Sequence, residues 1–414
     1  MFFSSRFTLT TAFSLLLLIF VVSPAVSSST RITTHAAGIP LKFSTKSAVT
    51  SLAPASCGTW SVVSSPNPGT QDNYLYGVAT VSATDVWAVG YSQSNGQVQT
   101  LTEYWNGSSW SVVPSPNPGS NNVLHAVTQV PGTNQAWSVG VYTSNSSNQT
   151  LIEHWDGTSW SVVSSPNPGA QVNVLFGVAA LSATDVWAVG NYYNTGNGPT
   201  LSLIEHWDGI SWNVVSNPNP GVQYNYLEGI TAISARNVWT VGEQVSGSTQ
   251  QTLTEHWNGS KWNVIPSPNV GMGSDLQAVV QVPFIKQVWA VGIYSTNNTQ
   301  VLQTLIEHWG SKSWSIISSP NVGSYENTLN GVAAISKNNV WAVGYDINSN
   351  DNYNHQTLTE HWDGSSWSVV SSPNPGTVNV LSGVAQVPGT NQVWALGYDT
   401  DSNGTYQTLT EFYC

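Results

Sequence analysis

The stretch "LFGVAALSATDVWAVGNYYNTGNGPTLSLIEHWDGISWNVVSNP", residues 175–218, decides the fold. It contains four apolar runs, "LFGVAALS", "DVWAVGNYY", "LSLIEHW" and "SWNVVS", each six to nine residues long. Gly, Asn, Asp or Pro separates one run from the next, which is typical of short β-strands joined by turns. The stretch therefore predicts a unit of four antiparallel strands.

The same unit recurs along the chain. "VWAVG" or a near copy occurs seven times, with its Trp at intervals of 50 to 53 residues, and a Glu follows each Trp after 16 to 19 residues. Four strands per ~50 residues, repeated side by side, predict an all-β protein, a seven-bladed β-propeller of four-stranded blades. A right-handed β-helix fits less well because its coils are much shorter.

The two ends of the repeat are incomplete. The first piece, "CGTWSVVSSPNPG" from Cys57, holds only a fourth strand, and the last piece, ending at Cys414, holds only the first three. We predict that the N-terminal strand pairs with the C-terminal strand, which closes the ring and leaves no open sheet edge. Cys57 and Cys414 stand on either side of this cut, and an exported chain permits a disulfide between them. Two free thiols are the alternative.

The turns between the third and fourth strands carry a family resemblance. "WNGSSW" (105–110), "WDGTSW" (155–160) and "WDGSSW" (362–367) look like a shortened Asp box. The whole unit resembles the kelch and Asp-box families of secreted propellers, whose blades also close with a terminal strand. The resemblance covers residues 57–414 and implies the architecture. It implies no activity, because propellers host many unrelated functions.

The N-terminus predicts export. Residues 1–27 contain one positive charge, a short apolar run, a proline and the small residues Ala25-Val26-Ser27, as in a secretory signal peptide. An uncleaved membrane anchor is the alternative, although the run is short of the ~20 residues that a bilayer needs. Residues 28–56 are rich in Ser and Thr and predict an exposed linker. We expect a secreted or cell-surface protein with no membrane span after signal cleavage.

Charge restricts the partners. Only 7% of the residues are charged, and after Cys57 five Lys and Arg stand against 21 Asp and Glu, a formal charge of −16. Nucleic-acid binding needs clustered Lys and Arg, so nucleic acid is excluded as a partner. We expect a monomer that binds an extracellular glycan or protein.

Residues that recur in every unit are interpreted as structural. All 20 Trp belong to the repeat, which predicts packing between blades, with sugar stacking as the alternative. Glu153 and its six equivalents are expected to accept hydrogen bonds at blade interfaces, because a group copied around a ring has one environment and catalysis needs different ones. No catalytic residue is assigned among them. A sialidase-like site would need several arginines and the ring has only Arg236; a site like that of galactose oxidase would need a cysteine that is not terminal.

Variable loops supply the candidate binding residues. The loops between second and third strands differ in length and content, whereas the other two turns of each unit are short and nearly constant, which predicts a structural face. On the variable loops we predict a binding site that includes Tyr193, Tyr353, Asp346 and Asp351. "DTDSNG" (399–404) spaces Asp399, Asp401 and Asn403 as calcium loops do, so calcium is a possible cofactor, and a plain Asx turn is the alternative.

Two classes of function remain open. The first is a recognition module for carbohydrate or protein. The second is a glycan-processing enzyme, a hydrolase or lyase, that uses acids outside the repeat pattern such as Glu228, Asp275 and Glu326.

Overall fold

The computed structural model describes residues 58–194, 198–296, 301–310, 312–349 and 354–414. All of them belong to Pro54–Cys414, the second of the two compact parts into which the chain divides. The predicted signal peptide, linker and Cys57 lie outside the described residues. Over the described ranges there is no helix long and apolar enough to cross a membrane.

The described residues form 28 β-strands and no helix. They make five separate four-stranded sheets and one eight-stranded sheet, in which a single parallel pair, Gln250↔Gly273, joins two four-stranded groups. The result is a repeated, propeller-like all-β architecture. The strands are β1 Trp60–Val62, β2 Asp72–Ser82, β3 Asp85–Ser94, β4 Gln97–Trp105, β5 Trp110–Val112, β6 Asn122–Gln129, β7 Ala136–Ser144, β8 Ser147–Trp155, β9 Trp160–Val162, β10 Val172–Ser182, β11 Asp185–Tyr193, β12 Leu201–Trp207, β13 Trp212–Val214, β14 Tyr224–Ser234, β15 Asn237–Ser246, β16 Thr249–Trp257, β17 Trp262–Val264, β18 Gly273–Gln281, β19 Val288–Ser295, β20 Leu302–Trp309, β21 Trp314–Ile316, β22 Glu326–Ser336, β23 Asn339–Ile347, β24 His355–Trp362, β25 Trp367–Val369, β26 Asn379–Gln386, β27 Val393–Thr400 and β28 Tyr406–Tyr413.

We number the groups of four strands as units 1 to 6, β2–β5 to β22–β25, and call β26–β28 with β1 unit 7. In each unit the second strand is buried on both faces, so its apolar residues are continuous. The glycine that recurs in this strand follows from a close approach: a Cβ on Gly190 would lie 2.0 Å from the carbonyl oxygen of Val174 on the first strand. No other residue fits there without moving the strands apart.

Unit 7 combines the two ends of the repeat. β1 is antiparallel to β28, with Trp60 opposite Tyr413 and Val62 opposite Glu411. The amide N–H of Gly58 donates to the carbonyl oxygen of Cys414 over 3.0 Å. The predicted pairing of the terminal strands is therefore present. Cys57 lies outside the described residues, so the disulfide stays a prediction.

Tryptophans hold neighbouring units together. The Trp of each second strand contacts two aromatic residues of the next unit: Trp87 lies 4.8 Å from Trp155 and 5.1 Å from Trp160, measured between ring centroids. Trp341 makes the same two contacts with Tyr413 and Trp60, at 4.5 and 5.3 Å. Fourteen Trp, those of the second and fourth strands, are 1 to 6% exposed. Packing between units is thus confirmed for them, and burial removes them as sugar-stacking surfaces.

The repeated glutamates are buried as well. Glu153 and its equivalents are 0% exposed, and burial raises the pKa of Glu153 to about 8. Of these seven, Glu255 accepts a hydrogen bond from the Asn217 amide at 3.3 Å. Burial raises the pKa of Glu307, and a hydrogen bond with Ser267 partly offsets this rise. The carboxylates of the other five have no partner among the described residues. The expected hydrogen bonds at the interfaces are therefore absent at five positions, where a Ser stands in place of Asn217; the hydroxyl of one such residue, Ser165, is bonded to Thr150 at 2.6 Å.

The turns and loops lie at opposite ends of each unit. The turn between first and second strands touches the turn between third and fourth strands, as where a Cβ on Gly157 would meet Asn134 at 2.5 Å. We call the end with these two turns the short-turn face and the opposite end, with the second-to-third-strand loops, the variable-loop face. First strands contact each other in the order β2, β6, β10, β14, β18, β22 and β26, and β26 also contacts β2.

Candidate functional site

Three positions of each unit vary from copy to copy although the residues around them repeat, and one of the three holds a different residue in all seven units. Two lie on the first strand and one lies opposite on the second strand, where Tyr74 pairs with Tyr91. We call these three sets the inner columns. Column A holds Tyr74, Val123, Val174, Tyr226, Asp275, Thr328 and Val380; column B holds Tyr76, His125, Phe176, Glu228, Gln277, Asn330 and Ser382; column C holds Tyr91, Val141, Asn191, Glu243, Ile293, Tyr345 and Tyr398.

Strand geometry explains why these columns are free to vary. Leu175 and its equivalents, which precede column B, are 0% exposed and pack between units. Successive side chains of a strand point to opposite faces, so column B points away from that packing, and all seven of its residues are half-buried. Phe176 is itself the extra residue of a β-bulge between Leu175 and Gly177, and bulges often re-aim side chains at functional sites. Column B is therefore available to a ligand.

Aromatic residues occupy the part of the columns contributed by units 7, 1, 2 and 3. Tyr74 lies 4.8 Å from Tyr91, 4.6 Å from Tyr398 and 4.9 Å from Tyr406, measured between ring centroids. Burial raises the pKa of Tyr91 to about 12, so the phenol keeps its proton and can donate a hydrogen bond. This tyrosine cluster presents apolar faces together with hydroxyl groups.

The aromatic series continues through column B. The ring centroids of Tyr76 and His125 are 5.9 Å apart, and those of His125 and Phe176 are 5.0 Å apart with the rings stacked. His125 Nδ1 lies 2.8 Å from the carbonyl oxygen of Leu175, which can only accept, so this nitrogen carries the hydrogen. Burial lowers the pKa of His125 to about 4, and the imidazole is neutral at pH 7.

Acids occupy the columns in units 4 and 5. Burial raises the pKa of Asp275 to about 7 and that of Glu243 to about 8, the latter with help from the charge of Asp275. Burial is the largest cause that raises the pKa of Glu228, and the charges of Asp275 and then Glu243 raise it further. Asp275 Oδ2 accepts from the Gln277 amide over 2.8 Å, whereas Oδ1 is buried without a partner. At neutral pH Glu228 and Glu243 therefore keep protons that exposed acids would lose, while Asp275, with a pKa of about 7, is partly ionised.

Of the three acids proposed for catalysis, the structure brings two together. Glu228 and Asp275 interact, and Glu243 joins them although the sequence did not single it out. Glu326 is bound within unit 6, to two inner-column residues: it accepts hydrogen bonds from the Tyr345 hydroxyl at 2.6 Å and the Thr328 hydroxyl at 3.2 Å.

The predicted loop residues occupy different environments. Tyr193 is half-buried at the end of β11, and Asp346 is 5% exposed on β23, where burial raises its pKa to about 6. Asp399 takes the same repeat position on β27, and burial likewise raises its pKa to about 6. Tyr353 and Asp351 lie outside the described residues.

The predicted calcium loop forms an Asx turn. Asp401 Oδ1 accepts the amide N–H groups of Asn403 at 2.8 Å and Thr405 at 2.9 Å, and these bonds lower the pKa of Asp401. Asp399 and Asp401 border a groove of about 300 Å³ that Ser65 and Asn67 also line. The described ranges contain no group of three His, Cys, Asp or Glu arranged to hold a metal ion. The calcium hypothesis therefore depends on Asp399, Asp401 and Asn403.

No family model and no curated protein matches the sequence.

Proposed function

We propose that this chain is an extracellular recognition module that binds carbohydrate through its inner columns and the variable loops beside them. The observation that carries the proposal is the composition of column B. Three adjacent units contribute Tyr76, His125 and Phe176, and the other four contribute Glu228, Gln277, Asn330 and Ser382. Aromatic faces on one side and hydrogen-bonding groups on the other suit a sugar ring, which has apolar faces and a hydroxyl rim.

The finer architecture belongs to the same proposal. We infer seven blades in a closed ring, related to the Asp-box propellers. The contacts between first strands, which return from β26 to β2, and the pairing of β1 with β28 support closure. Asp156 Oδ1 accepts the N–H groups of Thr158 at 2.7 Å and Ser159 at 2.9 Å, which gives the Asp of this turn a structural role.

The disulfide is also part of this proposal. The hydrogen bond from Gly58 to Cys414 brings the neighbour of Cys57 to Cys414, which supports a bond between the two sulfurs in an oxidising compartment. Peptide mapping without reduction tests it. A cross-linked peptide that contains both cysteines is expected, and two alkylated thiols would refute it.

The binding proposal is tested by a glycan array, run on the full chain with and without EDTA. We expect binding to a defined set of glycans and a loss of at least about tenfold in affinity for Phe176→Ser, since one aromatic contact is worth roughly 1.5 kcal/mol. Ser382 holds the same position in unit 7, so this change is compatible with the strand. Ile210→Thr, on the short-turn face, is the control and should bind normally. Glycan binding that EDTA abolishes would indicate that a calcium ion at the loop of Asp399 takes part in binding.

A glycan-processing enzyme is the second candidate, and the acid cluster favours it. Glu228 with a raised pKa could act as general acid, and Asp275 as its ionised partner. A hydrolase and lyase screen beside the array separates the two functions. Turnover that Glu228→Gln abolishes while binding persists would establish the enzyme, and binding without turnover by the wild type would support the recognition module.

A further inference from the structure

The short-turn face carries an unequal distribution of charge. All five Lys and Arg that follow Cys57 lie on its turns, in units 4 to 6, and all five side chains are exposed. They are Arg236, Lys261, Lys286, Lys312 and Lys337. Four acids lie on or directly after the same turns in units 1 to 3: Asp156 and Asp208 on the turns, and Asp85 and Asp185 as the first residues of β3 and β11. Asp185 is also 2.9 Å from His206 Nε2 within its own unit. Unit 6 adds Asp363. The face is therefore neutral in sum but divided into an acidic part and a basic part.

The remaining acids lie away from the short-turn face. Of the 21 Asp and Glu, seven are the repeated glutamates buried between units, eight described ones belong to the variable-loop half of the units, and Asp351 lies outside the described residues. Among the eight, burial raises the pKa furthest at Glu228, Glu243 and Asp275. The other five, which would repel another acidic protein, lie at the opposite end. Contacts at the short-turn face escape most of that repulsion because charges more than about 10 Å away are screened in physiological salt.

Two apolar side chains project from the same face without packing partners in the fold. Ile210 is 86% exposed where units 1 and 2 have Ser108 and Thr158. Phe284 is fully exposed, at 103%. Its φ is +66°, and the equivalent turns of units 2 and 7 have Gly132 at +74° and Gly389 at +75°. A phenylalanine at a glycine position that gains no contact is not explained by the fold, and such strain is common at functional surfaces.

We propose that the short-turn face binds a second copy of this chain in a two-fold dimer. The pairing rests on the seven-unit ring proposed above. A two-fold axis between units 3 and 4 places unit 3 over unit 4, unit 2 over unit 5 and unit 1 over unit 6. Each acid of units 1 to 3 then meets a base on the same kind of turn: Asp208 with Lys261, Asp185 with Arg236, Asp156 with Lys312 and Asp85 with Lys337. Such self-complementarity is what an isologous interface requires.

The apolar residues fit the same arrangement. Ile210, next to the axis, becomes covered by unit 4, and Phe284 of unit 5 meets the turn of unit 2, where Gly132 has no side chain to obstruct it. A lipid surface fits less well: the face is neutral in sum, and anionic lipids would repel Asp156 and Asp208, which are exposed. The dimer replaces the monomer expected from the sequence.

Sedimentation of the full chain over a concentration series tests the proposal. We expect a monomer–dimer equilibrium that weakens with salt. Lys261→Glu should raise the dissociation constant at least about tenfold by repelling Asp208, and Ile210→Lys should do the same by repelling Lys261. The double variant restores attraction between these positions and should recover the dimer, which a defect in folding would not do. Phe284→Gly, which introduces the residue of units 2 and 7, should also weaken it.

Val222→Thr on the variable-loop face is the control, because Val222 is 72% exposed and Thr70 holds its position in unit 1. It should leave the dimer unchanged. A monomer at every concentration overturns the proposal, as does a dimer insensitive to all four short-turn variants. Co-sedimentation of monomeric protein with phosphatidylglycerol vesicles, lost in Phe284→Gly, would assign the face to lipid and overturn it too. None of these outcomes depends on glycan binding, so the two proposals fail separately.

Discussion

The molecule contains two kinds of buried carboxyl group. Glu153 and its six equivalents are 0% exposed, sit between units and recur at one position of every unit. Glu228, Glu243 and Asp275 are also crowded and have raised pKa values, but each occurs once, at a position where the other units have different residues. Both sets are buried carboxyl groups with raised pKa values, but the first recurs in every unit and each member of the second occurs once.

Under the proposed function, this difference separates residues that hold the fold from residues that contact the ligand. A residue needed to join two units is needed at every junction, so it recurs. A residue that contacts one ligand is needed once, so its column varies while its neighbours repeat. Burial and pKa alone do not distinguish the two kinds of carboxyl group, whereas repetition does.

The largest expected effect concerns the repeated carboxyls. Their pKa is about 8 in the folded protein, as for Glu153, against a usual 4.5, so the folded state holds protons that the unfolded chain releases. The stabilisation is complete below about pH 4.5 and is lost as pH rises to about 8. Because seven groups act together, we expect the free energy of unfolding to fall by several kcal/mol over that range.

Denaturant unfolding at a series of pH values measures this loss. Glu153→Gln combined with Glu360→Gln should reduce the slope, since an amide does not titrate. A stability that rises between pH 5 and 8 would show that these carboxyls are ionised and paired in the folded protein.

The next effect concerns the tryptophans at the junctions. Trp160→Ala should cost about 3 to 5 kcal/mol, because it removes a buried ring that contacts Trp87 of the preceding unit. Trp60→Ala should cost as much, since Trp60 contacts Trp341 in the same way although it lies at the other end of the chain. Phe176→Ser, in an inner column, should cost far less. A much smaller loss for Trp60 than for Trp160 would mean that the terminal strand is dispensable.

A smaller effect is expected within the acid cluster. Asp275→Asn should lower the pKa of Glu228, because the charge of Asp275 is the second cause of its elevation after burial. Carbon-13 NMR titration of the glutamate side chains can follow this pKa. Glu326→Gln is the control and should leave it unchanged. If the pKa of Glu228 is unchanged in Asp275→Asn, the two carboxyl groups do not interact.

The smallest effect is a gain. Phe284→Gly should stabilise the monomer by about 1 kcal/mol, because glycine adopts a positive φ without the steric cost of a Cβ and the exposed ring contributes no packing. Thermal unfolding at a concentration too low for dimers measures it. Destabilisation would reveal an intramolecular contact of Phe284.

Much of this architecture could be predicted from the sequence. Apolar runs and turns located four strands per unit, as in residues 175–218, and the incomplete ends predicted the pairing of Trp60 with Tyr413. These features depend on local periodicity and on a count of strands, both of which a sequence states directly.

The candidate site was harder to predict. Asp346 was chosen for its place near a variable loop, but it is buried on a strand, since loop boundaries are not visible in the sequence to within a residue or two. Tyr74 and Glu243 were missed because their partners Tyr398, Glu228 and Asp275 come close only when strands fold and adjacent units pack, and Tyr91 because it lies opposite Tyr74 across two strands. Aligning the seven units position by position would have revealed them as variable columns. The short turns were expected to be structural, and Phe284 and Ile210 depart from the repeat there.

The central claim is that the inner columns recognise the ligand while the repeated residues only hold the fold. Glycan binding and thermal unfolding of Phe176→Ser, measured on the same preparation as the wild type, test it most directly. We predict a melting temperature close to that of the wild type together with loss of binding. Undiminished binding by a folded Phe176→Ser protein would contradict the claim.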